Sequence, residues 1–312
     1  MKILVTGSTG LVGKALVAAL VKDGHSVCRL VRPGTNVNDE AGGFNVAWNP
    51  ATGELGGAAV GADAVVNLAG ASIADGRWTE KRKAVLRSSR VDMTRVLVEA
   101  LGKMNVKPTV LISASAIGYY GNRGDEMLDE GSAAGEGFLA GIAKDWEAEA
   151  ARAEVWRTRV VLARFGIILA REGGALPKMV TPFKLGLGGR LGSGKQWMSW
   201  IALEDVVGIL KLCLERTPIQ GAVSFAPVSG ALNVVSPQPV TNAEFTKEMA
   251  RALHRPAILP APVFGLRLAL GREMADALLL ASQRVVPKKL QNIGYVFRRP
   301  SLSSALNAIL AG

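Results

Sequence analysis

Ile3, Leu4 and Val5 follow Lys2 without interruption and end at Thr6, a run of the length expected for a buried strand. From Leu11 to Lys22 the apolar positions instead recur at helical spacing, with glycines between the two patterns. Strand, turn and helix are therefore predicted over residues 2–22. Gly24 is placed to end the helix in a left-handed conformation, and Ser26 to Val31 reads as a second strand, which completes a β-α-β unit of about thirty residues. Further strands are expected at Val46 to Trp48, Ala64 to Leu68, Val110 to Ser113 and Val160 to Leu162. Helical patterns from Glu80 to Leu101 and from Leu139 to Arg152 fall between them, the alternation of a mainly parallel, doubly wound α/β sheet.

Beyond Leu169 the pattern changes. A glycine-rich stretch, Gly186 to Gly194, precedes Gln196-Trp-Met-Ser-Trp-Ile201. A helix is expected from Glu204 to Glu215, and Thr241-Asn-Ala-Glu244 has the spacing of a capping box that opens another, ending before Pro256. The tail from Pro260 reads as mixed and mainly helical. These patterns divide the chain into a nucleotide-binding domain over 1–169, its sheet completed within 203–228, and a smaller substrate lobe made of 170–202 and 229–312. No repeat, low-complexity tract or heptad array is visible.

Composition narrows the functional classes. At 312 residues, with 49% hydrophobic and 20% charged positions, the chain has material for a large core and lies outside the disordered class. No apolar run approaches the ~20 residues that span a bilayer, and no leader pattern opens the chain, so a cytoplasmic protein without a membrane role is expected. Cys28 and Cys213 are two thiols far apart and read as buried and free, while His25 and His254 are too few for a zinc cluster, so no metal is expected. The same scarcity of histidine disfavours serine-nucleophile chemistry. The net charge of +11 is scattered along the chain, so a phosphate-rich cofactor explains it more simply than nucleic acid does.

The strongest motif is Thr6-Gly-Ser-Thr-Gly-Leu-Val-Gly13, a G-x-x-G-x-x-G where the first strand hands over to the first helix. Glycines there let a pyrophosphate approach backbone N–H groups at a helix N-terminus, the arrangement of a Rossmann dinucleotide site. Gly7, Ser8, Thr9, Gly10, Leu11, Val12 and Gly13 are the expected contacts. An NAD site usually carries Asp or Glu about 20 residues further on. No acid occurs from His25 to Asn38, and the second strand is followed by Arg32, a residue type that accommodates a 2′-phosphate, so NADP(H) is the expected cofactor. Asn67-Leu-Ala-Gly70 closes another strand and places Leu68, Ala69 and Gly70 to line the nicotinamide ribose.

Together with Ser113-Ala-Ser-Ala-Ile-Gly-Tyr-Tyr-Gly121, Arg164-Phe-Gly-Ile-Ile-Leu169, Gly192 to Ile201, Pro287-Lys-Lys-Leu and Gly294-Tyr-Val-Phe297, these segments resemble the YfcH-like epimerase family of atypical short-chain dehydrogenase/reductases, over nearly the whole chain. The resemblance implies an NADP-dependent oxidoreductase or epimerase with a small C-terminal domain, acting on a small hydroxyl- or carbonyl-bearing substrate, sugar-derived ones among them. It adds Ser113, Phe165 and Gly166 to the expected cofactor contacts. In the wider superfamily a serine polarises the substrate carbonyl, a tyrosine transfers the proton, and a lysine four residues on lowers the tyrosine pKa. Here Ser115 takes the serine role and Lys144 the lysine position, with a contact to the ribose, but Ala140 stands where the tyrosine belongs. Tyr119 or Tyr120 is the expected substitute, Arg90 stands where an active-site Asn is often found, and Ala202 stands where relatives commonly carry His. Gln196, Trp197 and Trp200 are expected to line the substrate pocket, by stacking and amide orientation. The missing tyrosine leaves a second class open, a catalytically silent NADPH-binding sensor or scaffold. A small-molecule substrate and a monomer or homodimer complete the expectations.

Overall fold

The computed structural model describes residues 1–35, 37, 41–215 and 227–310. Its first strand, β1 (Lys2–Thr6), lies at the middle of the main sheet, because every side chain from Ile3 to Val5 is fully buried and can be covered on both faces. From β1 the chain crosses through α1 (Leu11–Lys22) to β2 (Ser26–Val31), then to β3 (Phe44–Asn49) and the short β4 (Glu54–Leu55) at the edge. It returns to the other side of β1 with β5 (Ala64–Asn67), followed outward by β6 (Val110–Ala116). After a two-residue strand, β7 (Met127–Leu128), the large sheet continues with β8 (Arg159–Phe165). Three short strands follow, β9 (Ile167–Leu169), β10 (Trp197–Met198) and β11 (Trp200–Ala202), before β12 (Gly230–Val234) completes the sheet.

The eight-stranded order is β12-β8-β6-β5-β1-β2-β3-β4, with all pairs parallel except β3 with β4. The doubly wound Rossmann-type sheet is thus as expected. Its last strand begins just past the segment 203–228, of which residues 216–226 lie outside the described residues. The order reverses between β1 and β5, and the crevice at the carboxyl ends of strands beside such a reversal is where α/β sheets bind ligands. Pairing aligns Thr6 with Asn67 and Asn67 with Ser113, so three polar residues stand in a row at that edge.

Helices cover both faces. On one, α1 and α6 (Leu203–Leu214) bury Leu16, Val17, Val206, Ile209 and Leu210 against Ile3, Val5, Val66 and Ile112. The other carries α3 (Val91–Gly102) and α4 (Phe138–Ala151), which pack together. The single helix expected from Glu80 to Leu101 is two, α2 (Glu80–Ser88) and α3. Near the break Ser89 Oγ and Arg90 Nη1 both donate to the Leu86 carbonyl, side chains competing for a helical acceptor.

The second lobe gathers α5 (Leu176–Lys184), α7 (Asn242–Leu253) and α11 (Leu302–Leu310) around Trp200, Phe245, Met249 and Leu306, with α8 (Val263–Leu270), α9 (Arg272–Ala275) and α10 (Lys288–Asn292) between the last two. The capping box expected at Thr241 and Glu244 is formed, with the Thr241 side chain accepting from the Glu244 N–H. Small strand pairs lock the lobe in place: β9 with β11, β10 with β13 (Val240–Thr241), and β7 with β14 (Arg284–Val285). Cys28 and Cys213 are buried free thiols, the second pushed up to about 12 by burial. Among the described residues no helix is long and apolar enough to cross a membrane.

Candidate active site

Glycine shapes the entrance to α1. Gly7 has φ of 66°, and a Cβ there would lie 2.7 Å from the Leu68 carbonyl carbon. A Cβ on Gly13 would fall 2.2 Å from the Gly7 oxygen. Gly10, the N-cap, supplies no side-chain cap, and the first turn of α1 contains no acid. The leading N–H groups of the helix are therefore left without a side-chain acceptor or a nearby acid on the helix, which suits an anion. Ser8 is buried, Thr9 and Gly10 are exposed, and Leu11 and Val12 are half-buried.

Behind this turn a hydroxyl and amide network holds the strand ends together. Thr6 Oγ1 donates to Asn67 Oδ1 at 2.7 Å and accepts from the N–H groups of Leu68 (3.1 Å) and Ala69 (3.2 Å). Asn67 Nδ2 donates to Thr94 Oγ1 and Ser113 Oγ, and Trp146 Nε1 also donates to Thr94 Oγ1. Leu68, Ala69 and Gly70 follow at the groove, with Gly70 exposed. Ser113 is different from its expected role: its side chain is fully buried and its hydroxyl is bonded within the sheet, so it supports Asn67 and is not free to touch a cofactor. Gly166 also has a packing reason, since a Cβ there would lie 2.6 Å from the Ser199 oxygen, while Phe165 packs between two apolar clusters. Arg32 is exposed just after β2.

The catalytic candidates meet at the end of β6. Ser115, 3% exposed, donates from Oγ to Glu147 Oε1 at 2.6 Å. Both Glu147 oxygens are held by Arg164, from Nε at 2.8 Å and Nη2 at 2.7 Å, in a bidentate pair whose side chains are 4% and 8% exposed. Burial opposes the charge on Arg164, but the bonds to Glu147 and its charge outweigh that penalty and raise its pKa. Neither residue was singled out above, although a charge inside the apolar run of β8 was a visible signal, as was an acid three residues past Lys144 on α4.

The two tyrosines separate. Tyr119 is half-buried, its ring 3.5 Å from the Arg164 guanidinium carbon, with no partner for its hydroxyl among the described residues. Tyr120 is fully buried, and its hydroxyl faces Asn233 Oδ1 at 2.7 Å and the Asp129 carbonyl at 2.9 Å while accepting from Arg164 Nη1 at 2.9 Å. Burial pushes its phenol up to about 12. Tyr120 therefore corrects the expectation of a proton donor; it is a strut that ties β8 and β12 to the loop at Asp129. Replacing it by Phe leaves buried partners unsatisfied and is expected to cost about 1–3 kcal/mol in urea unfolding, against less than about 0.5 kcal/mol for Tyr119→Phe. Equal losses would refute this division.

Lys144 is exposed on α4, one turn beyond Ala140, which is 2% exposed. The expected substrate residues scatter. Trp200 is fully buried and donates to the Gln238 carbonyl, and Gln196 spends its amide on the carbonyls of Leu191 and Leu279, so both belong to the lobe's interior. Trp197 is half-exposed, donates to Asp125 Oδ1 and lies 4.2 Å beneath the Arg284 guanidinium. A cavity of about 1280 Å³ runs along α1 and α6, lined by Lys14, Ala18, Arg171, Val207 and Arg298, but none of Ser115, Tyr119 or Lys144 touches it. The candidate reactive groups gather instead around Ser115, outside this cavity.

Known proteins agree with this architecture. A family model described as the NAD dependent epimerase/dehydratase family matches residues 3–223, and a domain of unknown function (DUF1731) matches residues 261–309. An epimerase family protein of Mycobacterium leprae is 44% identical over 306 residues, 98% of this chain and 94% of that one. Epimerase family protein YfhF of Bacillus subtilis is 39% identical over 312 residues, 100% of this chain and 98% of its own. The crystal structure of human epimerase family protein SDR39U1 with NADPH superposes with a TM-score of 0.87 at 34% identity, covering both chains in full.

Proposed function

Because the chain belongs to the NAD dependent epimerase/dehydratase family, we propose that it is an NADP(H)-dependent oxidoreductase or epimerase acting on a small hydroxyl- or carbonyl-bearing substrate. The observation that supports this best is the glycine cradle at α1, closed to any Cβ at Gly7 and Gly13 and left without a side-chain cap. Residues Gly7 to Gly13 would hold the pyrophosphate, Arg32 the 2′-phosphate, and Leu68 to Gly70 with Lys144 the nicotinamide ribose. NADPH in the human relative's crystal fits the same reading. When bound, the nicotinamide supplies or accepts a hydride.

The chain's own groups then manage the substrate oxygen. Ser115 already donates its proton to Glu147, so toward a ligand it presents lone pairs and accepts from a substrate hydroxyl. Tyr119, whose hydroxyl is unclaimed among the described residues, takes the proton-donor role vacant at Ala140. Glu147 and Arg164 fix Ser115 from behind and are positioning residues.

Thermal-shift and fluorescence titrations with NADPH and NADH test the cofactor assignment without a substrate, since a ligand at 100 times its Kd adds about 2.7 kcal/mol of stability. The wild type is expected to be stabilised selectively by NADPH, and Arg32→Ala to lose about tenfold or more in NADPH affinity while NADH binding is unchanged. Absence of stabilisation by either nucleotide would overturn the proposal.

A further inference from the structure

Arg90 caps the start of α3, and its side chain turns back beneath the loop that follows β5. Nη2 donates to the Ala71 carbonyl at 2.9 Å, Nη1 donates to the Leu86 carbonyl at 3.1 Å, and the guanidinium carbon stands 5.5 Å from the Trp146 ring. A Cβ built on Gly70 would lie 3.3 Å from that carbon, so the charge sits directly behind the loop assigned above to the nicotinamide ribose. All its hydrogen-bond partners among the described residues are neutral. The other charged group that bears on it is a second cation, Arg82. Burial pushes the Arg90 pKa down to about 10, with Arg82 assisting, which still leaves the side chain charged at neutral pH.

We infer that Arg90 biases the cofactor site toward the reduced nucleotide. The oxidised nicotinamide ring carries a positive charge and the reduced ring carries none, so a fixed cation behind Gly70 repels one form and is indifferent to the other. The phosphates and ribose are the same in both forms, and only the ring charge tells them apart. This inference rests on the cofactor reading above and adds to it a residue that sets redox preference.

Dissociation constants for NADPH and NADP+ are the test, measured by calorimetry on wild type, Arg90→Met and Arg90→Lys. The wild type is expected to bind NADPH more tightly, Arg90→Met to shrink the NADP+ to NADPH ratio of constants by about tenfold, and Arg90→Lys to keep most of it. An unchanged ratio in Arg90→Met overturns the inference, including the case in which both constants rise together, which would make Arg90 a phosphate contact or a strut. A wild type that binds both forms equally overturns it without any variant, so a variant that fails to fold does not protect it. Failure of the wild type to bind either form would instead remove the cofactor reading itself.

Discussion

Gly13→Val is expected to abolish NADPH binding and to cost about 3 kcal/mol or more in stability. The cause is backbone crowding that no rotamer relieves: the added carbon would meet the Gly7 oxygen at 2.2 Å, the Ser8 Cα at 2.8 Å and the Gly7 carbonyl carbon at 2.9 Å. Relief requires the turn to open, and the turn is what aims the first N–H groups of α1 at a phosphate. Gly10→Ala is the matched control. Its Cβ meets the Gly7 oxygen alone, at 3.3 Å, and the backbone there is at φ of −75°, which any residue adopts. A loss of about 1 kcal/mol, from the poorer N-cap, is expected, which separates the backbone crowding at Gly13 from the loss of a glycine as such. Urea unfolding with and without NADPH separates the two; retention of binding in Gly13→Val would show that the cradle is not the phosphate site.

How much was legible in the sequence follows from how local each signal is. The β1, glycine turn and α1 unit was readable because its spacing, its turn and its helix all lie within a few residues of one another. The row formed by Thr6, Asn67 and Ser113 was not, since its hydrogen bonds join residues separated by 61 and 46 positions. Ser113 was accordingly mistaken for a ligand contact. Trp200 and Gln196 misled for a related reason: an indole and an amide suit a pocket wall as well as a core, and their partners, Gln238 and Leu279, give no local cue. Lobe strands of two or three residues, such as β10 and β14, are too short to show alternation. Arg164 was read only as the first residue of a family motif, whereas a charge at the end of an apolar strand already requires a buried partner.

Arg164→Met is expected to be among the most destabilising single changes outside the glycine turn, at about 3–5 kcal/mol. The substitution roughly preserves length but strands Glu147, whose two oxygens then have Ser115 as their remaining side-chain donor in a place almost closed to water. It also takes one hydrogen bond from Tyr120 and the stacked cation from Tyr119. Arg164→Lys keeps a charge but offers a point where a fork is needed, so an intermediate loss follows. The double variant Glu147→Leu/Arg164→Met removes both charges together and should recover a large part of the stability, because burying an ion pair gains little over packing apolar groups, whereas leaving half of one costs heavily. Chemical denaturation of the four proteins forms a double-mutant cycle. A coupling energy near zero would mean that the pair is open to water and cannot be what holds Ser115 with its lone pairs toward a ligand. A coupling of several kcal/mol, accompanied by unchanged NADPH affinity in the double variant, would separate this cluster from the nucleotide site and leave orientation of Ser115 as its function.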